Sequence, residues 1–163
     1  MEPLSYKPEE EQYPQNENWS CSACSLAWLN RALGIQFATD EYSAINYIGD
    51  PQNINSTYGL MDGSGSVLRD RLREQGAPAF CWWPSWEQLY NISEFAPSLI
   101  GGVGWYHWVG VRRAEEGSLW IANSAEGWMD VTVMLTEDNF DDLGPFAAVT
   151  VPLLTQFPPP PTY

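Results

Sequence analysis

The order of the predicted elements favours an α+β fold, in which helices come first and an antiparallel sheet follows. Two observations predict it. A helical apolar period runs through Cys21–Leu33, and strand-like segments with short turns dominate the chain after residue 98. A chain of 163 residues fits a single domain with one hydrophobic core.

The first strong helix is predicted over Cys21–Leu33. Three leucines there recur at spacings of three and four residues: Leu26, Leu29 and Leu33. Ser20 or Ser22 can cap its start, and Gly34 is a natural stop. This helix is expected to be buried.

The rest of the first half is predicted to alternate between helices and loops. Helices are expected at 40–48, capped by Asp40 or Thr39, and at 66–75, where Gly76 ends the helix. Between them, 51–65 is rich in Asn, Gly and Ser and predicts a loop. A short strand at 79–83 and a helical turn or two at 84–90 complete this half.

The second half predicts an antiparallel sheet. Its strands are expected at 98–103, 106–113, 118–123, 131–135 and 147–151. The acidic, glycine-containing stretch 114–117 predicts a hairpin turn, and Glu137–Leu143 predicts a turn of helix or a loop.

Charge and hydropathy limit the classes of function. Seven Lys and Arg residues oppose 21 acids, and a formal charge of −14 repels phosphate backbones, so nucleic-acid binding is not expected. No apolar run is long enough for a membrane span, and the N-terminal stretch lacks a signal-peptide pattern. We therefore expect a cytoplasmic protein that does not bind membranes.

The ends of the chain predict peripheral segments around one domain. Residues 1–14 read as a flexible acidic lead-in, 15–153 as the folded domain, and 154–163 as a proline-rich tail. The tail ends in Pro160-Pro161-Thr162-Tyr163, a weak match to the peptide ligand of WW domains.

The cysteine and histidine content narrows the chemistry. Cys21, Cys24 and Cys81 are an odd set without a secretion signal, which argues against a disulfide framework. His107 is the only histidine, so any Cys–His chemistry must use it.

A nucleophile, a base and an orienting group can be assigned from the predicted elements. Cys21 opens a helix, where the positive N-terminal field favours thiolate and lowers a cysteine pKa. His107 begins an apolar strand behind a glycine-rich approach, as a general base for that thiol could. If 106–113 and 118–123 form a hairpin, Asn123 lies opposite His107 and can orient its ring.

Two stretches resemble papain-like cysteine peptidases, most closely the bacteriocin-processing, double-glycine-leader peptidase-like family. The first is 15–34 (QNENWSCSACSLAWLNRALG), with a glutamine, a gap of five, a cysteine and a small-and-apolar helix ending in glycine. The second pairs HWVGV at 107–111 with LWIANS at 119–124, and the resemblance spans residues 15 to about 130.

The resemblance implies a papain-like α+β fold and a cysteine peptidase mechanism without a cofactor. It implies Cys21 as nucleophile, His107 as general base and acid, Asn123 as orienter and Gln15 as an oxyanion-hole side chain. The substrate would be a peptide or protein. Flanking positions expected to bind it are Trp19, Gly102 and Trp108.

Departures from the family pattern leave alternatives open. Ser22-Ala23 stand where the family usually has Gly-Pro, and Asn123 stands where it more often has Asp. The Cys21-x-x-Cys24 spacing also resembles that of papain, in which the second cysteine is the nucleophile; Asn18 would then replace Gln15.

Three other functional interpretations remain. The same residues could carry out deamidation, transglutamination or isopeptide cleavage. The chain could be a catalytically inactive papain-like protein that binds or inhibits. A site without metal is expected, but the three cysteines and His107 could instead form a Cys3His zinc site.

Overall fold

The computed structural model describes residues 12–102, 107–125, 134–144 and 146–152. Within these ranges five helices and eight strands occur. In chain order they are α1 (Cys21–Leu33), α2 (Glu41–Ile48), β1 (Ile54–Asn55), β2 (Gly59–Leu60), α3 (Ser66–Glu74), β3 (Phe80–Trp82), α4 (Trp86–Ser93), β4 (Ser98–Gly101), β5 (Trp108–Glu115), β6 (Ser118–Ala122), β7 (Leu135–Thr136), α5 (Glu137–Leu143) and β8 (Ala147–Thr150).

The α+β prediction is confirmed, and so are the bounds of the first helix. α1 begins at Cys21 and ends at Leu33, and Gly34 follows in a left-handed conformation with φ of 73°. Glycine is favoured in that conformation because glycine has no Cβ atom to clash with the backbone. Ser20 occupies the N-cap position, but its side chain makes no capping hydrogen bond there.

The other helices agree with the sequence pattern within a few residues. Asp40 caps α2 by accepting a hydrogen bond from the Ser43 amide. α3 buries Leu68 and Leu72, and α4 begins at a capping box formed by Ser85 and Gln88. The predicted turn at 84–90 is thus a helix that extends to Ser93.

Two predictions for loops and strands need correction. The segment predicted as a plain loop over 51–65 contains a small antiparallel hairpin, β1 with β2. The turn between β5 and β6 is tighter than predicted, since β5 continues to Glu115. The lead-in up to residue 11, the strand prediction over 131–133 and the tail from residue 153 lie outside the described residues.

Strands β3 to β8 form one six-stranded sheet in the order β3-β8-β4-β5-β6-β7, with antiparallel pairing between neighbours. Alternate residues of each strand point to opposite faces. Leu99 faces the core beneath α1, α2 and α3, whereas its neighbour Ile100 faces a second core with α4 and α5.

The helix that carries Cys21 packs directly against strand β5. A Cβ atom placed on Gly110 would lie 2.3 Å from the ring of Trp28, so only glycine allows this close approach. Three residues before Trp28 along α1, the Ser25 hydroxyl donates a hydrogen bond of 3.1 Å to the Trp108 carbonyl. These contacts fix the start of α1 against the start of β5.

No helix among the described residues is long and apolar enough to span a membrane.

Replacing Gly110 with alanine should destabilise the fold, because the added methyl group must displace the Trp28 ring or the helix. Overpacking of this kind costs about 1–3 kcal/mol, measured as a lower urea midpoint at unchanged slope. Gly63→Ala is the matched control, since no atom lies within 4 Å of its added Cβ. Equal stabilities of the two variants would contradict the close-packing argument.

Candidate active site

Cys21 lies at the first position of α1 and lines an open cleft of about 540 Å³. The cleft is formed by Asn18, Trp19, Cys21, Ser56, Thr57, Tyr58, Gly59, Leu60, Gly63, Trp83, Gly101, Gly102 and Trp108. None of these side chains carries a formal charge. Three residues expected to bind substrate are among them: Trp19, Gly102 and Trp108.

The floor of the cleft is a tryptophan resting on glycine backbone. A Cβ atom on Gly101 would lie 2.3 Å from the Trp108 ring, and one on Gly65 would lie 3.0 Å from it. Trp108 itself is buried. A side chain at either glycine would therefore push the ring out of its place.

The opposite wall is the β1–β2 hairpin, which the sequence pattern does not reveal. Its turn contributes Ser56, Thr57 and Tyr58, and Tyr58 is 74% exposed. Gly59 lies next to the segment that leads into Cys21, because an added Cβ would be 3.2 Å from the Trp19 carbonyl. The hairpin therefore belongs to the site.

His107 and Asn123 meet as the hairpin prediction requires. His107 directly precedes β5, Asn123 directly follows β6, and the paired strands bring His107 Nε2 to 2.6 Å from Asn123 Oδ1. Since an amide oxygen accepts, Nε2 carries the proton. The basic nitrogen of the neutral ring is therefore Nδ1.

Cys21 lines the same cleft as Trp108, the residue that follows His107. The Trp108 backbone lies near enough to the Cys21 thiol to act on its pKa. The Ser25–Trp108 hydrogen bond joins the first turns of α1 to the start of β5. The residues assigned as base and orienter are thus in contact, and the residue assigned as nucleophile lines a cleft together with the neighbour of that base.

Burial favours the neutral form of both groups. It raises the pKa of the Cys21 thiol above its ordinary value and outweighs the nearby backbone groups that act to lower it. It also lowers the pKa of His107, although the hydrogen bond that the ring donates to Asn123 acts to raise it. The expectation of a lowered cysteine pKa is therefore wrong, because desolvation dominates over the helix N-terminus.

Gln15 does not line the cleft. Its amide nitrogen donates to the Glu17 carbonyl at 2.7 Å, and its amide oxygen accepts from the Ser124 hydroxyl at 2.8 Å. Its backbone amide donates to the Ser124 carbonyl at 2.9 Å. Asn18, the residue of the alternative register, does line the cleft and is exposed. The oxyanion role of Gln15 stays a prediction.

Cys24 lies away from the cleft, one helical turn below Cys21. Its side chain is 4% exposed, and burial together with the charge of Glu41 raises its pKa to about 12. It borders a separate small cavity of about 180 Å³. Cys21 is thus the one thiol of the pair that reaches the cleft.

The zinc alternative is not supported by the structure. All four of its ligands lie in the described part of the chain, which contains no group of three or more His, Cys, Asp or Glu side chains that could hold a metal ion. Cys81 is buried in β3, within the core.

The only histidine offers a direct test of the electrostatics. We expect its imidazole to titrate below pH 6.5 by NMR, because burial resists the charged form. In Asn123→Ala the pKa should fall further, since the hydrogen bond that favours the cation is gone. Asn91→Ala, at an exposed position of α4 away from the cleft, is the control and should leave the pKa unchanged.

A His107 pKa at or above 6.5 in the native chain would contradict this expectation.

The lowered pKa of His107 also makes the stability of the fold depend on pH. As the pH falls below about 6.5, the unfolded chain binds a proton that folded His107 resists, so the free energy of unfolding decreases. His107→Gln should remove that dependence between about pH 5 and 7.

Comparison with known proteins finds solved structures of the same fold. A double glycine motif protease from the AMS/PCAT transporter, crystallised with the leader peptide, matches with a TM-score of 0.66 over 93% of this chain and 99% of its own, at 18% identity. A C39-like peptidase from Bacillus anthracis matches with a TM-score of 0.63 over 92% and 96%, at 17% identity.

The peptidase domain of Streptococcus ComA, a bifunctional ABC transporter of a quorum-sensing pathway, matches with a TM-score of 0.62 over 88% and 98%, at 14% identity. No protein-family model and no curated protein matches the sequence itself. Across about nine-tenths of its length, this chain therefore has the papain-like fold of the C39 double-glycine motif peptidases.

Proposed function

We propose that this protein is a cysteine peptidase that cleaves a peptide bond through a thioester. One observation carries the proposal: His107 is hydrogen-bonded to Asn123 at 2.6 Å, and Trp108, the residue after His107, lines one cleft together with Cys21 at the start of α1. A nucleophile, a base and a group that orients the base form the minimum arrangement for acyl transfer.

In the first step, Nδ1 of His107 takes the thiol proton as the sulfur of Cys21 attacks the carbonyl carbon. The carbonyl π electrons move to the oxygen, and the backbone amide of Cys21 at the helix start can donate to that oxyanion. As the tetrahedral intermediate collapses, the C–N bond breaks and His107 gives its proton to the leaving amine. Water then hydrolyses the thioester by the same route.

The role of Asn123 follows from the tautomer. By accepting from Nε2, its side chain keeps Nδ1 unprotonated and fixes the ring plane. Asn123 also stabilises the imidazolium that forms during attack, since its hydrogen bond favours the charged ring. Proton transfer at the moment of attack suits a thiol and an imidazole whose burial favours their neutral forms.

The cleft fits an extended peptide with an uncharged segment. Its lining combines four glycines, which admit a backbone, with aromatic rings such as Trp83, which is 53% exposed. A similar protease was crystallised with a leader peptide, which supports a peptide as the substrate of this chain.

The decisive experiment compares single-residue variants on a peptide library, with the acyl-enzyme trapped by mass spectrometry. We expect Cys21→Ala to abolish both cleavage and the thioester, and His107→Ala to lower the rate by about 10²–10⁴-fold. Cys24→Ala is the matched control and should retain activity, since its thiol lies outside the cleft.

Other outcomes separate the alternatives. A thioester that turns over only with an amine acceptor would indicate a transferase, and release of ammonia from a glutamine side chain would indicate a deamidase. Two results together would overturn the proposed enzymatic activity and favour a binding protein. They are peptide binding with no thioester, and alkylation of Cys21 at a rate that does not depend on His107.

A further inference from the structure

The chain enters the nucleophile helix through a short segment, 15–20, that has little regular structure of its own. The last peptide unit of this segment joins Ser20 to Cys21 and carries the backbone amide of Cys21. On the proposed mechanism that amide faces the oxyanion, so its direction matters. A residue that fixes the conformation of this segment therefore also fixes the direction of the Cys21 backbone amide.

A single carboxylate, that of Glu41 at the start of α2, holds most of this segment. Its oxygens accept from the Asn16 backbone amide at 2.9 and 3.0 Å and from the Asn16 side chain at 2.7 Å. They also accept from the Glu17 amide at 3.0 Å and from the Ser20 hydroxyl at 2.5 Å.

The surroundings of the Glu41 carboxylate favour its charged form. Glu41 is only 9% exposed. Burial acts to raise its pKa, but hydrogen bonds from Ser20, Glu17 and Asn16 outweigh burial and hold the pKa below its ordinary value. Hydrogen bonds to a charged acceptor are shorter and stronger than neutral ones, so they restrain the segment firmly.

The contact with Ser20 is the one that reaches the nucleophile. The Ser20 backbone amide donates to the Glu17 carbonyl at 3.4 Å, and the Ser20 carbonyl accepts from the Cys24 amide at 2.9 Å. Ser20 is therefore restrained from both sides, and with it the plane of the peptide unit that carries the Cys21 amide.

At its other end the segment is tied to the loop of the orienting residue. Gln15 exchanges two hydrogen bonds with Ser124, which directly follows Asn123. The segment thus spans from Glu41 on α2 to the end of β6, and joins the two halves of the site. Neither Glu41 nor Ser124 touches the cleft.

We propose that Glu41 is a positioning residue that, through Ser20 and the 15–20 segment, aims the Cys21 backbone amide at the oxyanion of the acyl-transfer reaction. The inference rests on the proposed function and extends it. Glu41 touches neither substrate nor sulfur. Its effect is on transition-state charge, and so on kcat more than on KM.

The test is Glu41→Gln, which keeps the size of the side chain but removes its charge and turns one acceptor into a donor. We expect kcat for peptide cleavage to fall about 10- to 100-fold with KM within about twofold, as for a weakened oxyanion donor. Asp40→Asn, which alters the cap of the same helix but not the segment, should leave kcat within about twofold.

A second readout separates positioning from a general loosening of the site. Alkylation of Cys21 by iodoacetamide needs the thiol but forms no oxyanion, so its rate in Glu41→Gln should stay within about twofold of the native rate. A parallel loss of cleavage and alkylation would overturn the proposal and indicate a structural role only. Unchanged cleavage would overturn it as well.

Should Glu41→Gln fail to fold, Ser20→Ala removes only the link nearest the nucleophile and should show the same split between cleavage and alkylation. Failure of the proposed function gives a different result: the native chain itself forms no thioester and cleaves no peptide. In that case no oxyanion forms for Glu41 to help stabilise, and the inference is overturned together with the proposed peptidase function.

Discussion

The site depends on the contact between α1 and strand β5. Trp28 can lie against the strand only because position 110 is glycine, and Ser25 adds a hydrogen bond to the Trp108 carbonyl. These contacts set the depth and rotation of the helix, and so place Cys21, its first residue, in the cleft that Trp108 also lines. Without this packing the cysteine and the histidine would belong to unrelated halves of the molecule.

The sequence pattern predicted those features of the site that depend on residues close together along the chain. The leucine spacing and Gly34 define α1 to the residue, because an amphipathic period and a left-handed stop act within a few positions. The pairing of His107 with Asn123 follows from hairpin geometry, since the start of one strand must face the end of the next. In both cases the determining residues are close along the chain.

Features set by tertiary packing could not be predicted in this way. The helix start predicts a lowered pKa for Cys21, but desolvation comes from distant segments and reverses the direction. Glu41 stands in the first turn of a helix, where a carboxylate is common on helix-dipole grounds alone. Its partners lie 21 to 25 residues earlier. Strands of two residues, such as β1 and β2, are too short to show any period.

The two sides of the cleft differ in how much change they tolerate. The floor is Trp108 on the backbone of Gly65 and Gly101, where even one methyl group would collide with the ring. The wall is the turn of a small hairpin whose Tyr58 side chain stands in solvent. Substitutions at the turn leave the contacts of α1 and β5 intact. On the proposed peptidase function, descendants of this chain can therefore acquire new peptide preferences at the hairpin while the floor and the proposed reacting residues stay constant.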